Sequence, residues 1–214
     1  MKLYGYWRSS ATWRVRIGLH LKGLAYDYQP VHLAKDGGEQ KTDTHRARNP
    51  LGQVPVLEVE ADGQRVHLSQ SLAILQWLDE VYPTPAILPA DAIARARVRQ
   101  LSEVVNAWIQ PLQNLDTLAR VEALGGDRSA WARSVIHDGL TALEATVRDT
   151  ASTFLVGDSP TLADICLVPQ LYNARRFGAD VTPFPTLLRV EAACNALPAF
   201  QAAHPDVQPD ATPT

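Results

Sequence analysis

The sequence predicts an α/β domain followed by an all-α domain. Three observations predict this class. The first 82 residues alternate short β-prone runs with helical spacing; Pro83, Pro85 and Pro89 form a stiff connector; beyond about Asp91 only helical periodicity remains. The expected boundaries are therefore 1–82 for the first domain, 83–90 for the linker and 91–214 for the helical domain.

Leu3, Tyr4 and Tyr6 make a short β-prone run. Ser9 or Ser10 then caps a helix whose apolar positions Trp13, Ile17 and Leu21 recur at helical spacing, and Lys22-Gly23 ends it. Tyr26 to Val31 reads as a second strand, parallel to the first because a helix intervenes. Lys35 to Arg48 is weakly patterned, with a short helix expected inside it. Val54 to Val59 and Gln64 to Leu68 flank Asp62-Gly63, a hairpin signal, so this pair is expected to be antiparallel. Ser69 is expected to cap a helix from Gln70 to Val81, which Tyr82-Pro83 stops.

In the second domain, helices are expected over 91–109, 129–148, 161–177 and 186–196, with Pro111 interrupting the first. Thr161-x-x-Asp164 before an apolar run has the form of a capping box, a structural motif. The last dozen residues lack periodicity and are expected to lie extended on the surface. Trp7, Trp13 and Trp108 are assigned to the core, Trp7 beside Arg8 having the rim of a pocket as its alternative.

Twenty basic against 23 acidic residues give a net charge of −3 and a pI near 6.1, which argues against nucleic acid or anionic lipid as partner. Cys166 and Cys194 stand 28 positions apart and the six histidines are scattered, so neither a metal site nor a disulfide framework is expected. No apolar run of about 18 residues occurs, and a cytoplasmic protein without a membrane span is the expectation.

Three places carry candidate chemistry. Arg8-Ser9-Ser10 lies where a strand's carboxyl end meets a helix start, and free N–H groups there favour an anion; a serine hydroxyl donating to a bound thiolate lowers its pKa. Simple capping is the alternative reading of the same serines. Val54-Pro55, if cis, exposes the Val54 N–H and C=O to an extended peptide, the alternative being an ordinary edge-strand proline. Gln70-Ser71 opens a helix and suits a carboxylate, or again a cap.

In order along the chain, these places resemble those of the zeta-class glutathione transferases, the family that includes maleylacetoacetate isomerase. The resemblance rests on Arg8-Ser9-Ser10-Ala11-Thr12-Trp13-Arg14-Val15-Arg16-Ile17, Asn49-Pro50 with Gln53-Val54-Pro55, Gln70-Ser71-Leu72-Ala73-Ile74, and Ile109 to Leu115. Ala163 to Gln170, Asn173 to Phe177, and the tail residues His204-Pro205 and Gln208-Pro209-Asp210 extend it over nearly the full length. The resemblance implies a thioredoxin-like glutathione-binding domain followed by an all-helical substrate-binding one.

It also implies glutathione as cofactor, Ser9 as the catalytic serine with Ser10 beside it, and Arg176 at the substrate pocket. Gln53 and Val54 fall in the glutathione-binding segment, where Val54 would pair with the cysteinyl backbone. Gln70 and Ser71 would hold the γ-glutamyl end, and Gln110 lies near the glycine end. Arg8 and Arg176, with Arg14, are expected to grip a small dicarboxylate, Arg14 having a structural ion pair as its alternative. The family motif ordinarily has cysteine after the two serines, where this chain has Ala11.

The implied activity is cis–trans isomerisation of 4-maleylacetoacetate to 4-fumarylacetoacetate in tyrosine and phenylalanine breakdown, by a homodimer. Three rivals stand beside it. They are maleylpyruvate isomerisation, glutathione conjugation to small haloacids, and a non-catalytic transferase-like module.

Overall fold

A computed structural model describes residues 1–212. The chain forms two units, one of residues 1–85 together with the segment from Pro198, the other Ala86–Leu197.

The first unit is built on a four-stranded sheet of order β2-β1-β3-β4, with β1 at Lys2–Gly5, β2 at Asp27–Pro30, β3 at Val56–Ala61 and β4 at Gln64–Ser69. β1 and β2 run parallel, while β3 is antiparallel to both β1 and β4. Ala61 pairs with Gln64 across Asp62 (φ 52°) and Gly63 (φ 73°), the positive pair that a tight hairpin turn requires.

Helix α1 (Ser10–Leu21) connects β1 to β2, a short α2 (Asp43–Arg46) lies in the weakly patterned stretch, and α3 (Ser71–Val81) follows β4. Leu3, Val15, Ile17, Leu57, Ile74 and Leu78 are fully buried between sheet and helices. A Cβ on Gly18 would overlap Leu75, so glycine lets α1 and α3 approach. Gly23 (φ 64°) ends α1, and Leu24 N–H returns to Leu19 C=O at 2.9 Å. The buried Lys22 ammonium binds Asp79 at 2.8 Å and the carbonyls of Tyr82 and Pro85, fixing the end of α1 to the end of α3.

The second unit is helical: α4 (Ala92–Glu103), a π-helical stretch (Val104–Ile109), α5 (Gln110–Leu112), α6 (Leu115–Ala123), α7 (Arg128–Val147), α8 (Leu162–Arg176) and α9 (Pro185–Asn195). Every residue of α8 from Leu162 to Leu171 is buried, so it forms the unit's axis. Widening at Val104–Ile109 precedes Pro111, which has no N–H to continue an α ladder. Gln113 and Gln170, both buried, exchange two amide hydrogen bonds of 2.9 and 3.1 Å and tie the segment after α5 to α8.

Several expectations need correction. Ser69 does not cap α3: it pairs with Val56 in β4, because the hairpin register runs to the end of the strand. Residues 115–123 are helical, with Asn114 accepting from Asp116 N–H as the cap. Trp108 is 55% exposed. The segment from Pro198 groups with the first unit instead of the second, and it is not extended: α10 (Pro198–Ala202) and a 3₁₀ turn at Pro205–Val207 fold it back. Among the described residues no helix is long and apolar enough to cross a membrane, and no cluster of His, Cys, Asp or Glu has the makings of a metal site.

Candidate active site

Ser9 stands at the N-cap of α1 with extended backbone angles, φ −67° and ψ 118°. Its Oγ accepts from Thr12 N–H at 3.3 Å, and its own N–H closes a turn on Tyr6 C=O at 3.0 Å. Capping occupies one lone pair and leaves the hydroxyl proton to give away, so the two readings of this serine are compatible. No acidic residue sits in the first turn of α1, and the helix dipole therefore favours an anion beside Ser9. Ser9 is half-buried, whereas Ser10, the first helical residue, is 7% exposed. Arg8 lies over the Trp7 ring with its guanidinium carbon 5.0 Å from the centroid.

The Val54-Pro55 peptide is cis. Among the described residues, Val54 N–H and C=O make no hydrogen bond within the chain, as an extended peptide ligand would need. The loop leading there is braced: Asn49 Nδ2 and His45 Nε2 each donate to Gln53 C=O at 2.9 Å, and Leu51 N–H returns to Asn49 Oδ1 at 3.2 Å. A carbonyl acceptor fixes the proton of His45 on Nε2.

Gln70 holds φ 69° and ψ 111°, a conformation that side chains other than glycine rarely adopt. Such strain collects at ligand sites. Its side chain is exposed and makes no capping bond, while Ser71 behind it is 4% exposed. Arg14 is fully buried, and its Nη1 donates to Ser71 Oγ at 3.4 Å. This placement corrects the expectation that Arg14 grips substrate: with no solvent-facing surface, it supports the start of α3 from beneath.

The remaining candidates lie on the second unit. Gln110 opens α5 and is half-buried. Arg176 ends α8 as an exposed cation, 5.0 Å over the Phe177 ring and 3.5 Å from Asn173 Oδ1. Neighbouring Arg175 is committed to Glu191 through two hydrogen bonds, of 2.6 and 2.5 Å. That pairing holds the Arg175 guanidinium pKa above its ordinary value.

The first unit thus offers a hydroxyl donor at a helix start, an unpaired backbone edge at Val54 and a second helix start at Ser71. This donor set suits a short peptide with a thiolate and a free carboxylate. Sequence reasoning missed the buried Gln113–Gln170 pair and the Arg16, Tyr28 and Asp210 contacts behind Trp7. Buried glutamines next to Gln110 and within an apolar helix were the available signal for the first; the second had only the tail motif.

A thioredoxin-like unit with these features, joined to an all-helical unit, is the glutathione transferase fold. Family models describe the two parts as the N-terminal domain of glutathione S-transferase, matching residues 8–81, and its C-terminal domain, matching residues 76–208. Maleylacetoacetate isomerase from Dictyostelium discoideum is 44% identical over 214 residues, 99% of this chain and 96% of its own. The maleylacetoacetate isomerase of Anaeromyxobacter dehalogenans, solved with glutathione in its active site, is 59% identical with TM-score 0.90, covering 99% of this chain and 97% of that one. Another structure of that enzyme holds dicarboxyethyl glutathione and citrate, at 56% identity, TM-score 0.89 and coverage of 99% and 94%. A maleylpyruvate isomerase described as a bacterial zeta-class transferase is 44% identical with TM-score 0.93, covering 99% of this chain and all of its own. The chain belongs to the glutathione S-transferase family, within its zeta class.

Proposed function

We propose that this protein is a glutathione-dependent isomerase that converts 4-maleylacetoacetate to 4-fumarylacetoacetate. One observation carries the reading: Ser9 caps α1 through its oxygen while its proton remains free to donate, at a helix start without acidic residues. Glutathione, when bound, supplies a thiolate whose addition to the conjugated cis double bond leaves a single bond that rotates before the thiolate departs.

The Ser9 hydroxyl donates to that sulfur, with Ser10 beside it at the same helix start, and holds it ionised near neutral pH. Gln53 and Val54 hold the peptide edge-on, Gln70 and Ser71 the γ-glutamyl end, and Gln110 the glycine end. Arg8 and Arg176 take the substrate carboxylates and offset the negative charge that develops on its carbonyl oxygen. The reading includes a homodimer acting in tyrosine and phenylalanine breakdown, as the family resemblance implies, and a cytoplasmic location, as the cysteine content and the lack of a long apolar run suggest.

A specific likeness favours maleylpyruvate as a second substrate, since the zeta-class relative named for that reaction matches this fold at TM-score 0.93. Both substrates need the same thiolate and a similar carboxylate grip. The test follows both isomerisations side by side, with and without glutathione, in the unaltered chain and in Ser9→Ala. Faster turnover of maleylacetoacetate that needs glutathione and falls roughly 100-fold in Ser9→Ala, with glutathione binding kept, is expected. Preference for maleylpyruvate keeps the mechanism and changes the substrate; unchanged turnover in Ser9→Ala removes Ser9 from it.

A further inference from the structure

The turn that delivers Ser9 is clamped by groups that the proposed chemistry does not use. Trp7 N–H donates to Asp210 Oδ2 at 3.0 Å, and Trp7 C=O accepts from Arg16 Nη2 at 2.8 Å. Ser9 N–H closes the same turn on Tyr6 C=O at 3.0 Å. Both backbone polar groups of the residue two before Ser9 are therefore committed, one of them to a carboxylate 203 positions further along the chain.

Asp210 reaches Trp7 because the chain from Ala203 to Gln208 is anchored. Arg16 Nε donates to Ala203 C=O at 3.1 Å, and the His204 ring meets Trp13 edge-on at 5.2 Å. Gln208 Nε2 braces the segment internally on Ala202 and His204 carbonyls at 3.1 and 2.8 Å. Tyr28 adds its hydroxyl to Asp210 Oδ2 at 3.2 Å. Burial, and then the Asp210 charge, push the Tyr28 phenol pKa up, so Tyr28 stays a donor. Arg16 is fully buried and Trp7 is 3% exposed, so the bonds that Arg16 makes to Trp7 C=O and Ala203 C=O are shielded from water, while Asp210 itself is half-buried. A carboxylate on a buried backbone N–H is among the stronger hydrogen bonds a protein makes. A tail that merely covered apolar surface would need none of it.

We propose that Asp210, together with Arg16, is a positioning residue for Ser9: the C-terminal segment fixes the Tyr6–Ser9 turn and thereby sets where the Ser9 hydroxyl points. This inference rests on the proposed role of Ser9 as thiolate donor. A hydroxyl held loosely donates less to a bound thiolate, so its loss of aim raises the thiol pKa and slows the step without weakening the peptide grip at Val54 and Ser71.

The test uses the full chain with reduced glutathione, titrating the thiolate's ultraviolet absorbance against pH and measuring glutathione Kd, kcat, KM and Tm. Asp210→Ala is expected to raise the pKa of the bound thiol by about 0.5 to 1 and to lower kcat roughly three- to tenfold, with Kd and KM held within about twofold. Asp210→Asn keeps an oxygen acceptor without the charge and shifts the thiol part of the way. Should Asp210→Ala not fold, Asp210→Asn decides alone, and a thiol pKa equal to the unaltered chain's overturns the proposal. A lower Tm with thiol pKa and kcat unmoved also overturns it, leaving the segment a structural brace.

Ser9→Ala separates this inference from the reading beneath it. If Ser9→Ala leaves the thiol pKa where it was, the role of Ser9 falls and the inference falls with it. If Ser9→Ala moves it and the Asp210 variants do not, the inference alone fails. In the double variant, Asp210→Ala is expected to add no further shift, because it acts through Ser9; additive shifts overturn it.

Discussion

Arg176 is the residue whose proposed role is most sharply separable from packing. It ends α8 as an exposed cation over Phe177, while its neighbour Arg175 is locked to Glu191. An exposed guanidinium at the end of α8 suits a carboxylate, so Arg176→Ala is expected to raise KM for dicarboxylate substrates about tenfold. KM for an uncharged electrophile should change little. Equal effects on both, measured with the same preparation, remove the carboxylate role. Arg175→Ala offers the contrast, because its loss strands Glu191, which is 7% exposed, and shows as lower stability. At this scale the sequence was partly legible. The start of α1 at Ser9 could be read because a helix start has a local signature, but the burial of Arg14 could not, since it depends on α3 arriving over α1.

Helix ends decide how the elements hold. Asp164 is the acid of the capping box that opens α8, and both halves of the box are present. Its Oδ2 takes Thr161 N–H and the Thr161 hydroxyl, each at 2.7 Å, and its Oδ1 takes Leu155 N–H at 2.9 Å. Burial pushes its carboxyl pKa up, while these donors favour the ionised form. Asp164→Ala orphans three buried donors and is expected to cost about 2 to 4 kcal/mol, read as a lower urea midpoint. Asp164→Asn turns an amide toward donors and should lose about half as much; an unmoved midpoint for both would show that the box does not hold α8. Asp127 caps the exposed start of α7, accepting from Ala130 and Ser129 N–H groups, which hold its carboxyl below the usual range. A depressed folded pKa gives stability that is present above the unfolded value and lost as pH falls through the folded one. Asp127→Asn should therefore flatten part of the acid limb of Tm against pH, and an unchanged limb would assign that acid loss elsewhere. The hairpin, the βαβ unit and α8 were legible because each rests on local spacing. α6, the π-helical stretch and α10 were not, because short helices and widened turns are decided by packing.

The molecule brings both ends of its chain into one unit, with the segment from Pro198 returning to the β1–α1 turn. Local pattern could not show this: a segment rich in Pro and Asp looks surface-bound until its carboxylate meets a specific N–H. Because the folded chain alone presents the donors proposed for glutathione, cofactor binding should stabilise it by mass action. At glutathione 100-fold above Kd the gain is about 2.7 kcal/mol, which for a chain of this size raises Tm by about 5 to 10 °C. The shift tests how the site divides its work. Ser9→Ala removes a donor to sulfur and should keep most of the shift, since the peptide grip is intact. Gln70→Ala removes a side chain from the γ-glutamyl end and should lose much of it, reported as a weaker Kd in calorimetry with turnover restored at saturating glutathione. If the two variants lose the shift equally, binding and thiolate stabilisation are not separable in this site, and the roles assigned to the two helix starts collapse into one.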